Sequence, residues 1–225
     1  MALAVANYES TYGSLPPAYV LGPDGRPWHS WRVLLLPYLE QKRLFDEYRF
    51  DEPWDGPRNR ELASLIPNIY KFSYYEKPGN VTTNYLAVVG AQTAWPGATP
   101  RKLTEIRDGT ANTILVIENF GAGVHWMEPR DAEFDRMSFA LDNPLGLSSW
   151  LSPPAIVTVE GYVRKTPRDM KPETLRALLT SDGGEPVDGA WEELKDGRDR
   201  PHGAPNADPP PIPKSDDAEA SDPAP

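Results

Sequence analysis

Four carboxylates stand close together in the stretch EPRDAEFD, which covers residues 128 to 135. Alternating carboxylates can gather around calcium, an ion that prefers oxygen ligands. The candidate ligands are Glu128, Asp131, Glu133 and Asp135. The stretch lacks the glycine and the distal glutamate of an EF-hand loop, and the alternative is a solvated acidic loop partly neutralised by Arg130 and Arg136. Calcium is the one metal that the sequence suggests.

The side chains that serve catalysis elsewhere are scattered along this chain. The three histidines are His29, His125 and His202, and no G-x-S-x-G motif provides a nucleophilic serine. His29 and His125 each adjoin a tryptophan, which favours packing. Glu118 ends the aliphatic run ILVI, and we interpret it as the end of a buried strand whose carboxylate reaches solvent. The chain has no cysteine and so no thiol nucleophile. Because the remaining candidates form no convergent catalytic set, we predict no catalytic residue, no cofactor-binding residue and no enzyme.

Composition excludes several classes of partner. The chain of 225 residues carries 23 Lys and Arg against 33 Asp and Glu, a net charge of −10 without a basic cluster, which argues against nucleic acid. We see no export signal at the N-terminus and no stretch near the roughly 18 apolar residues of a membrane span. Residues 201 to 225 include eight prolines and no aromatic residue. We therefore predict one domain over residues 1–198 and a disordered Pro-rich acidic tail over 199–225.

Helical and strand patterns follow one another along the domain. Ala2 to Thr11 reads as the last turns of a helix ended by Gly13. Ser30 caps a helical repeat of apolar residues, in which Pro37 should cause a kink or a break near Leu36. A short helix is predicted over 59–65 and a later one from Pro172. Strands are predicted over 69–75, 85–89 and 113–118, with a hairpin over 156–164. Helices followed by strands favour an α+β fold with an antiparallel sheet.

Several longer motifs resemble, in the same order, those of the planctomycete-type prepilin-like family, whose shared domain has no known function. They are NYESTYGSLPPAY (7–19), SWRVLLLPYLEQKRLF (30–45), TNYLAVVGAQTAWPG (83–97), IRDGTANTILVIE (106–118), VHWMEPRD (124–131) and LRALLTSDGG (175–184). Where the family often carries a His and an Asp-Gly near its last strands, this chain has Trp150 and Glu160-Gly161.

The resemblance implies a pilin-like architecture, in which a long N-terminal helix and short helices pack on an antiparallel sheet. In this family the first half of that helix anchors the subunit in a membrane, and its members are expected in the cell envelope, outside the cytoplasmic membrane. Met1 falls where the end of that helix should lie, so we expect a truncated helix and contact with a membrane only through a missing upstream anchor. The implied partners are other pilin-like subunits or envelope proteins.

Two functions of different classes follow. The first is a non-enzymatic pilin-like structural or interaction protein of the cell envelope. The alternative is a soluble ligand-binding module for carbohydrate or calcium. Six of the seven tryptophans could serve either function, because aromatic side chains are enriched in interfaces and stack on sugars, and the alternative is that most of them lie in the core. The six are Trp28, Trp31, Trp54, Trp95, Trp126 and Trp150. The interface candidates are Trp28, Trp95 and Trp126. An exposed apolar patch on the N-terminal helix would favour the first function, and an aromatic-lined cleft would favour the second.

Overall fold

The structure, a computed structural model, describes residues 1–71, 79–150, 153–187 and 191. These residues belong to one compact unit, Met1–Leu194. The α-helices of the described residues are α1 (Ala2–Tyr12), α2 (Trp31–Leu34), α3 (Lys42–Glu47), α4 (Pro57–Glu61) and α5 (Pro172–Leu179). The strands are β1 (Tyr19–Leu21), β2 (Pro27–Ser30), β3 (Thr82–Thr83), β4 (Tyr85–Leu86), β5 (Val88–Val89), β6 (Ile114–Glu118), β7 (Val124–His125), β8 (Ala132–Glu133), β9 (Ala155–Thr158) and β10 (Val163–Lys165). The predicted α+β class is confirmed, and the predicted tail, 199–225, lies outside the described residues.

The first helix ends as its sequence indicates. Gly13 adopts a left-handed conformation with φ of 73°, and its N–H donates to the carbonyl of Glu9. Glycine reaches this conformation without the steric cost that a Cβ would add. Ala4 and Val5 face the core, whereas Leu3 remains exposed. None of the helices in the described part of the chain combines the length and the apolar character needed to cross a bilayer.

The second helical stretch breaks before Pro37, which is one of the two predicted outcomes. The Ser30 hydroxyl caps α2 by accepting the N–H of Arg32, and α2 ends at Leu34. A 3-10 turn over Leu36–Leu39 follows, because Pro37 has no N–H to continue the α-helical ladder. Glu40, with φ of 60°, then redirects the chain into α3. The repeat of apolar residues nevertheless lies in the core, as predicted.

Two predicted strands differ from the observed ones. Ile69 and Tyr70 lie in a 3-10 turn, Asn68–Tyr70, because the buried Tyr70 hydroxyl donates to the carbonyl of Arg32 and holds the turn inward. Residues 72–75 of that prediction lie outside the described residues. The strand predicted over 85–89 is divided into β4 and β5, because the N–H of Ala87 donates to a side chain, the Asp131 carboxylate, at 2.8 Å.

The main sheet has four antiparallel strands in the order β10-β9-β6-β4. All five residues of β6 are buried, which confirms the strand read from the aliphatic run. The predicted hairpin is β9–β10, and Gly161 turns it with φ of 103°. Three two-stranded sheets flank this one: β1-β2 and β3-β7 are antiparallel, and β5-β8 is parallel. Helix α5 buries Leu175, Leu178 and Leu179 in the same apolar cluster as Ile117 and Ile156 of β6 and β9.

Candidate functional site

Asp131, the central member of the predicted calcium cluster, lies in a buried ion pair. Its Oδ1 lies 2.5 Å from Nη2 of Arg32, and the two side chains are 2% and 0% exposed. The indole N–H of Trp31 and the backbone N–H of Ala87 also donate to this carboxylate. Burial raises the pKa of Asp131, and the Arg32 guanidinium and the N–H donors act against that rise.

Arg32 joins three parts of the fold through the same buried network. Its guanidinium donates to the carbonyls of Tyr85 and Glu128 and to the hydroxyl of Ser30. The planar guanidinium can satisfy several acceptors at once, a geometry that lysine does not offer. The network therefore connects α2, β4 and the loop that carries Asp131. No sequence motif for chemistry marked Arg32, and its place inside the resemblance motif SWRVLLLPYLEQKRLF was the only signal.

The other three carboxylates of the predicted calcium cluster do not gather with Asp131. Glu128 pairs with Arg130 at 2.8 Å, and Glu133 pairs with Arg136 at 3.1 Å. Asp135 is exposed. Among the residues that the structure describes, no group of three or more His, Asp or Glu side chains is arranged to hold a metal ion. Because Asp131 is committed to Arg32 inside the core, the alternating spacing of the four carboxylates does not produce a shared site.

Glu118 lies at the end of β6 as predicted, but its carboxylate does not reach solvent. The residue is only 5% exposed, because Ser149 and Ala155 cover the strand end. The Ser149 hydroxyl donates to Oε1 at 2.6 Å. Burial raises the pKa of Glu118, and the hydrogen bonds from Ser149 and Ala155 oppose the rise. The solvent-exposed interpretation of this carboxylate was therefore wrong.

The two histidines of the described residues pack against aromatic rings, as their tryptophan neighbours suggested. His29 is buried, and its Nδ1 lies 2.9 Å from the Tyr48 hydroxyl. His125 is half-buried, with its ring centroid 4.9 Å from that of Trp54. Burial lowers the pKa of both imidazoles, which favours their neutral forms. His202 lies outside the described residues.

Two of the three tryptophans predicted for an interface belong to the core. Trp95 and Trp126 are 1% and 0% exposed, and their indole N–H groups donate to the carbonyls of Leu115 and Ala63. Neither ring can touch a partner while the domain stays folded. Trp28 is half-buried against Gly22, where a Cβ would overlap its ring. The chain itself therefore buries the apolar surface of Trp95 and Trp126 fully and that of Trp28 in part.

Exposed apolar side chains instead flank the start of α1. Leu3 is 74% exposed, and Tyr162 in the turn between β9 and β10 is 60% exposed. The two belong to contacting segments, since a Cβ at Gly161 would lie 3.7 Å from the Cβ of Ala2. We call Leu3 and Tyr162 the α1 surface. The resemblance places Trp150 and Glu160 where the family often carries a His and an Asp. The ring of Trp150 lies beside that of Phe120 at a tilt, and Glu160 is exposed.

The comparison with known families supports the sequence resemblance in the region of α1 to α4. Residues 1–68 match the family described as "Protein of unknown function (DUF1559)". The resemblance to a family with a domain of unknown function is confirmed over these residues. The DUF1559 region contains α1, the Ser30 cap and Arg32, and the description of the family gives no activity, ligand or partner. No curated protein and no solved structure matches the chain.

Proposed function

We propose that this chain is a non-enzymatic, pilin-like structural or interaction protein of the cell envelope, which works by packing against other subunits. The observation that carries the proposal is the α1 surface. Leu3 points away from the core on the helix that the resemblance assigns to subunit packing, while Ala4 and Val5 hold the other side of α1 in place. Large exposed apolar residues on two contacting segments are the kind of surface that a partner covers.

Aromatic contacts of Tyr8 hold the second half of α1 against the turn over Leu36–Leu39, which suits a helix that connects a subunit interface to its domain. The Tyr8 ring lies 4.4 Å from the Tyr12 ring and 5.9 Å from the Tyr38 ring, centroid to centroid. Aromatic pairs at these separations add to the stability that their buried area gives. The Tyr8–Tyr38 pair therefore holds α1 against the turn over Leu36–Leu39, while Leu3 near the start of the helix stays exposed.

The ligand-binding alternative receives less support from the described residues. A sugar site needs exposed rings, and two of the candidate rings, Trp95 and Trp126, are in the core. A calcium site needs several free oxygen ligands, and Asp131 is paired with Arg32. Location in the cell envelope and the absence of enzymatic activity remain parts of the proposal.

The test uses the absence of cysteine in the chain. A benzophenone attached through Leu3→Cys would be photo-activated in the protein's own cells. We expect adducts between copies of the chain, or with another pilin-like subunit, from this position. The matched control is Leu145→Cys, since Leu145 is 69% exposed and lies outside α1. Monomer alone at both positions, or equal adducts at both, would contradict subunit packing through α1.

Compartment requires a separate measurement on the native protein. We would determine the intact mass and the N-terminal residue of the chain recovered from membrane and soluble fractions of its own cells. Recovery of the chain from the membrane fraction is the expected result. A soluble form that starts at Met1 or Ala2 would count against an envelope subunit and favour the ligand-binding alternative.

A further inference from the structure

Strand β10 forms an open edge of the main sheet. It is the outermost strand in the order β10-β9-β6-β4, and it pairs only with β9 in the described residues. The carbonyl of Tyr162 and the N–H of Thr166 bond toward β9. Alternate residues of an antiparallel strand bond to the same neighbour, so the N–H and C=O groups of Val163 and Lys165 point to the open side.

These outward groups have no backbone partner in the part of the chain that the structure describes. Neither Val163 nor Lys165 takes part in a hydrogen bond outside the β9–β10 pairing. Val163 is also 53% exposed. A row of free N–H and C=O groups on an exposed edge is a template for an additional strand. The edge strand is accordingly ready to pair with an extended segment.

Arg164, in the middle of β10, pairs with no carboxylate among the described residues. Its guanidinium lies 5.7 Å from the ring centroid of Tyr162 and 5.8 Å from that of Trp191. It makes no ion pair or hydrogen bond with its side chain in the described residues, although the chain as a whole carries an excess of acidic groups. A cation this close to two aromatic rings is attracted by both of them, which favours this position of the guanidinium.

Two buried donors beside these rings also lack an acceptor. Nε of Arg164 and Nε1 of Trp191 are both inaccessible to solvent, and neither has a hydrogen-bond partner. Buried polar groups are almost always paired in folded proteins, and each exception needs an explanation. The hydrogen-bonding capacity of the Arg164 guanidinium is therefore not satisfied by the described residues, and a carboxylate is the group that fits a guanidinium best.

We propose that the β10 edge binds an extended acidic segment of a partner protein, which adds a strand beside Val163 and Lys165 and places a carboxylate against Arg164. Main-chain hydrogen bonds to the edge supply affinity, and the carboxylate supplies selectivity. A second copy of β10 would be a poor occupant, because antiparallel self-pairing would bring the cationic Arg164 and Lys165 of one copy close to those of the other. This inference does not depend on the proposed function, since a free edge with an unpaired cation would serve any partner of that chemistry.

The test uses a short acetylated and amidated peptide of alternating valine and glutamate, added to the full chain. NMR amide exchange would follow the N–H groups of Val163 and Lys165. We expect both to exchange more slowly with this peptide, and not with the peptide in which lysine replaces glutamate. Arg164→Gln should weaken binding about tenfold, as expected for a lost charged hydrogen bond. The matched control is Arg136→Gln, which removes the same charge from a position 80% exposed and should leave binding unchanged.

A further variant tests the backbone contribution. Val163→Pro removes an outward N–H, and it should abolish peptide binding while the thermal unfolding midpoint stays near that of the parent chain. If that variant does not fold, the amide-exchange measurement and the Arg164→Gln variant still test the proposal. Equal binding of the lysine peptide, or no slowing of exchange at Val163 and Lys165, would overturn the proposal. Binding of free glutamate at Arg164 without backbone protection would also overturn it, because that result describes a small-anion site.

Discussion

The buried pair of Arg32 and Asp131 permits the sharpest prediction. Arg32→Met keeps much of the side-chain volume and removes the charge. The Asp131 carboxylate, 2% exposed, would then remain in the core with only the N–H donors of Trp31 and Ala87. Breaking a buried pair by removing one partner costs about 3–5 kcal/mol in the free energy of unfolding. For a domain of this size that corresponds to a fall of roughly 6–20 °C in the unfolding midpoint.

The pH dependence gives the same variant a second signature. Without Arg32, nothing charged opposes the rise that burial causes in the pKa of Asp131. A carboxyl whose folded pKa lies above its unfolded value favours folding at low pH, and that contribution is lost as pH rises through the folded pKa. The deficit of Arg32→Met against the parent chain should therefore shrink as the solution is acidified and grow toward neutral pH.

Denaturant unfolding at neutral and acidic pH measures both effects. Arg43→Met is the matched control, because Arg43 is 93% exposed and its pair with Glu47 should contribute less than about 1 kcal/mol. The double change of Arg32→Met with Asp131→Leu should recover much of the loss, since an apolar pair leaves no buried charge. The reasoning is refuted if Arg32→Met at neutral pH costs no more than Arg43→Met, or if its deficit does not vary with pH.

Three other changes have expected outcomes. Burial raises the folded pKa of Glu118, so the parent chain should lose stability as pH rises above the unfolded pKa of glutamate, and Glu118→Gln should not. Urea unfolding of both chains across that pH range measures the difference. Parallel stability profiles for the two chains would count against it. Gly22→Ala should lower the free energy of unfolding by about 1–3 kcal/mol and shift the tryptophan emission, since a Cβ there would overlap the Trp28 ring. Gly25→Ala is the control, because its Cβ would meet no neighbouring atom and any loss there comes from backbone strain alone. Calcium in excess over EGTA should leave the unfolding midpoint unchanged, because a bound ion would raise it; a rise would restore the calcium prediction for Glu128 and its neighbours.

Local chemistry accounts for the elements that could be predicted. The stop at Gly13, the cap at Ser30 and the break at Pro37 depend on the backbone freedom or hydrogen-bonding groups of single residues. The buried strand of Ile114–Glu118 and the turn at Gly161 belong to the same class. Each of these signals acts within a few residues, so the tertiary environment has little opportunity to change it.

The fates of the polar and aromatic candidates were decided by contacts between distant segments. Asp131 pairs with Arg32, which lies 99 residues away in the chain, and that pairing keeps Asp131 out of any calcium site. Glu118 was covered by Ser149 and Ala155, and Trp95 and Trp126 entered the core. Residue type and spacing do not specify which side of a strand or loop another segment will cover.

The α+β class, the order of its main elements and the resemblance that the DUF1559 match supports over residues 1–68 could all be predicted from the sequence. Which charged side chains are buried and which stay accessible to water depends on the tertiary structure. Arg32 and Arg164 are the same type of residue, yet Arg32 donates to several acceptors and the side chain of Arg164 makes no hydrogen bond with the described residues. The reason is physical: the free energy of a charged side chain depends on its solvent access and its partners, and both are set by segments far away in the chain.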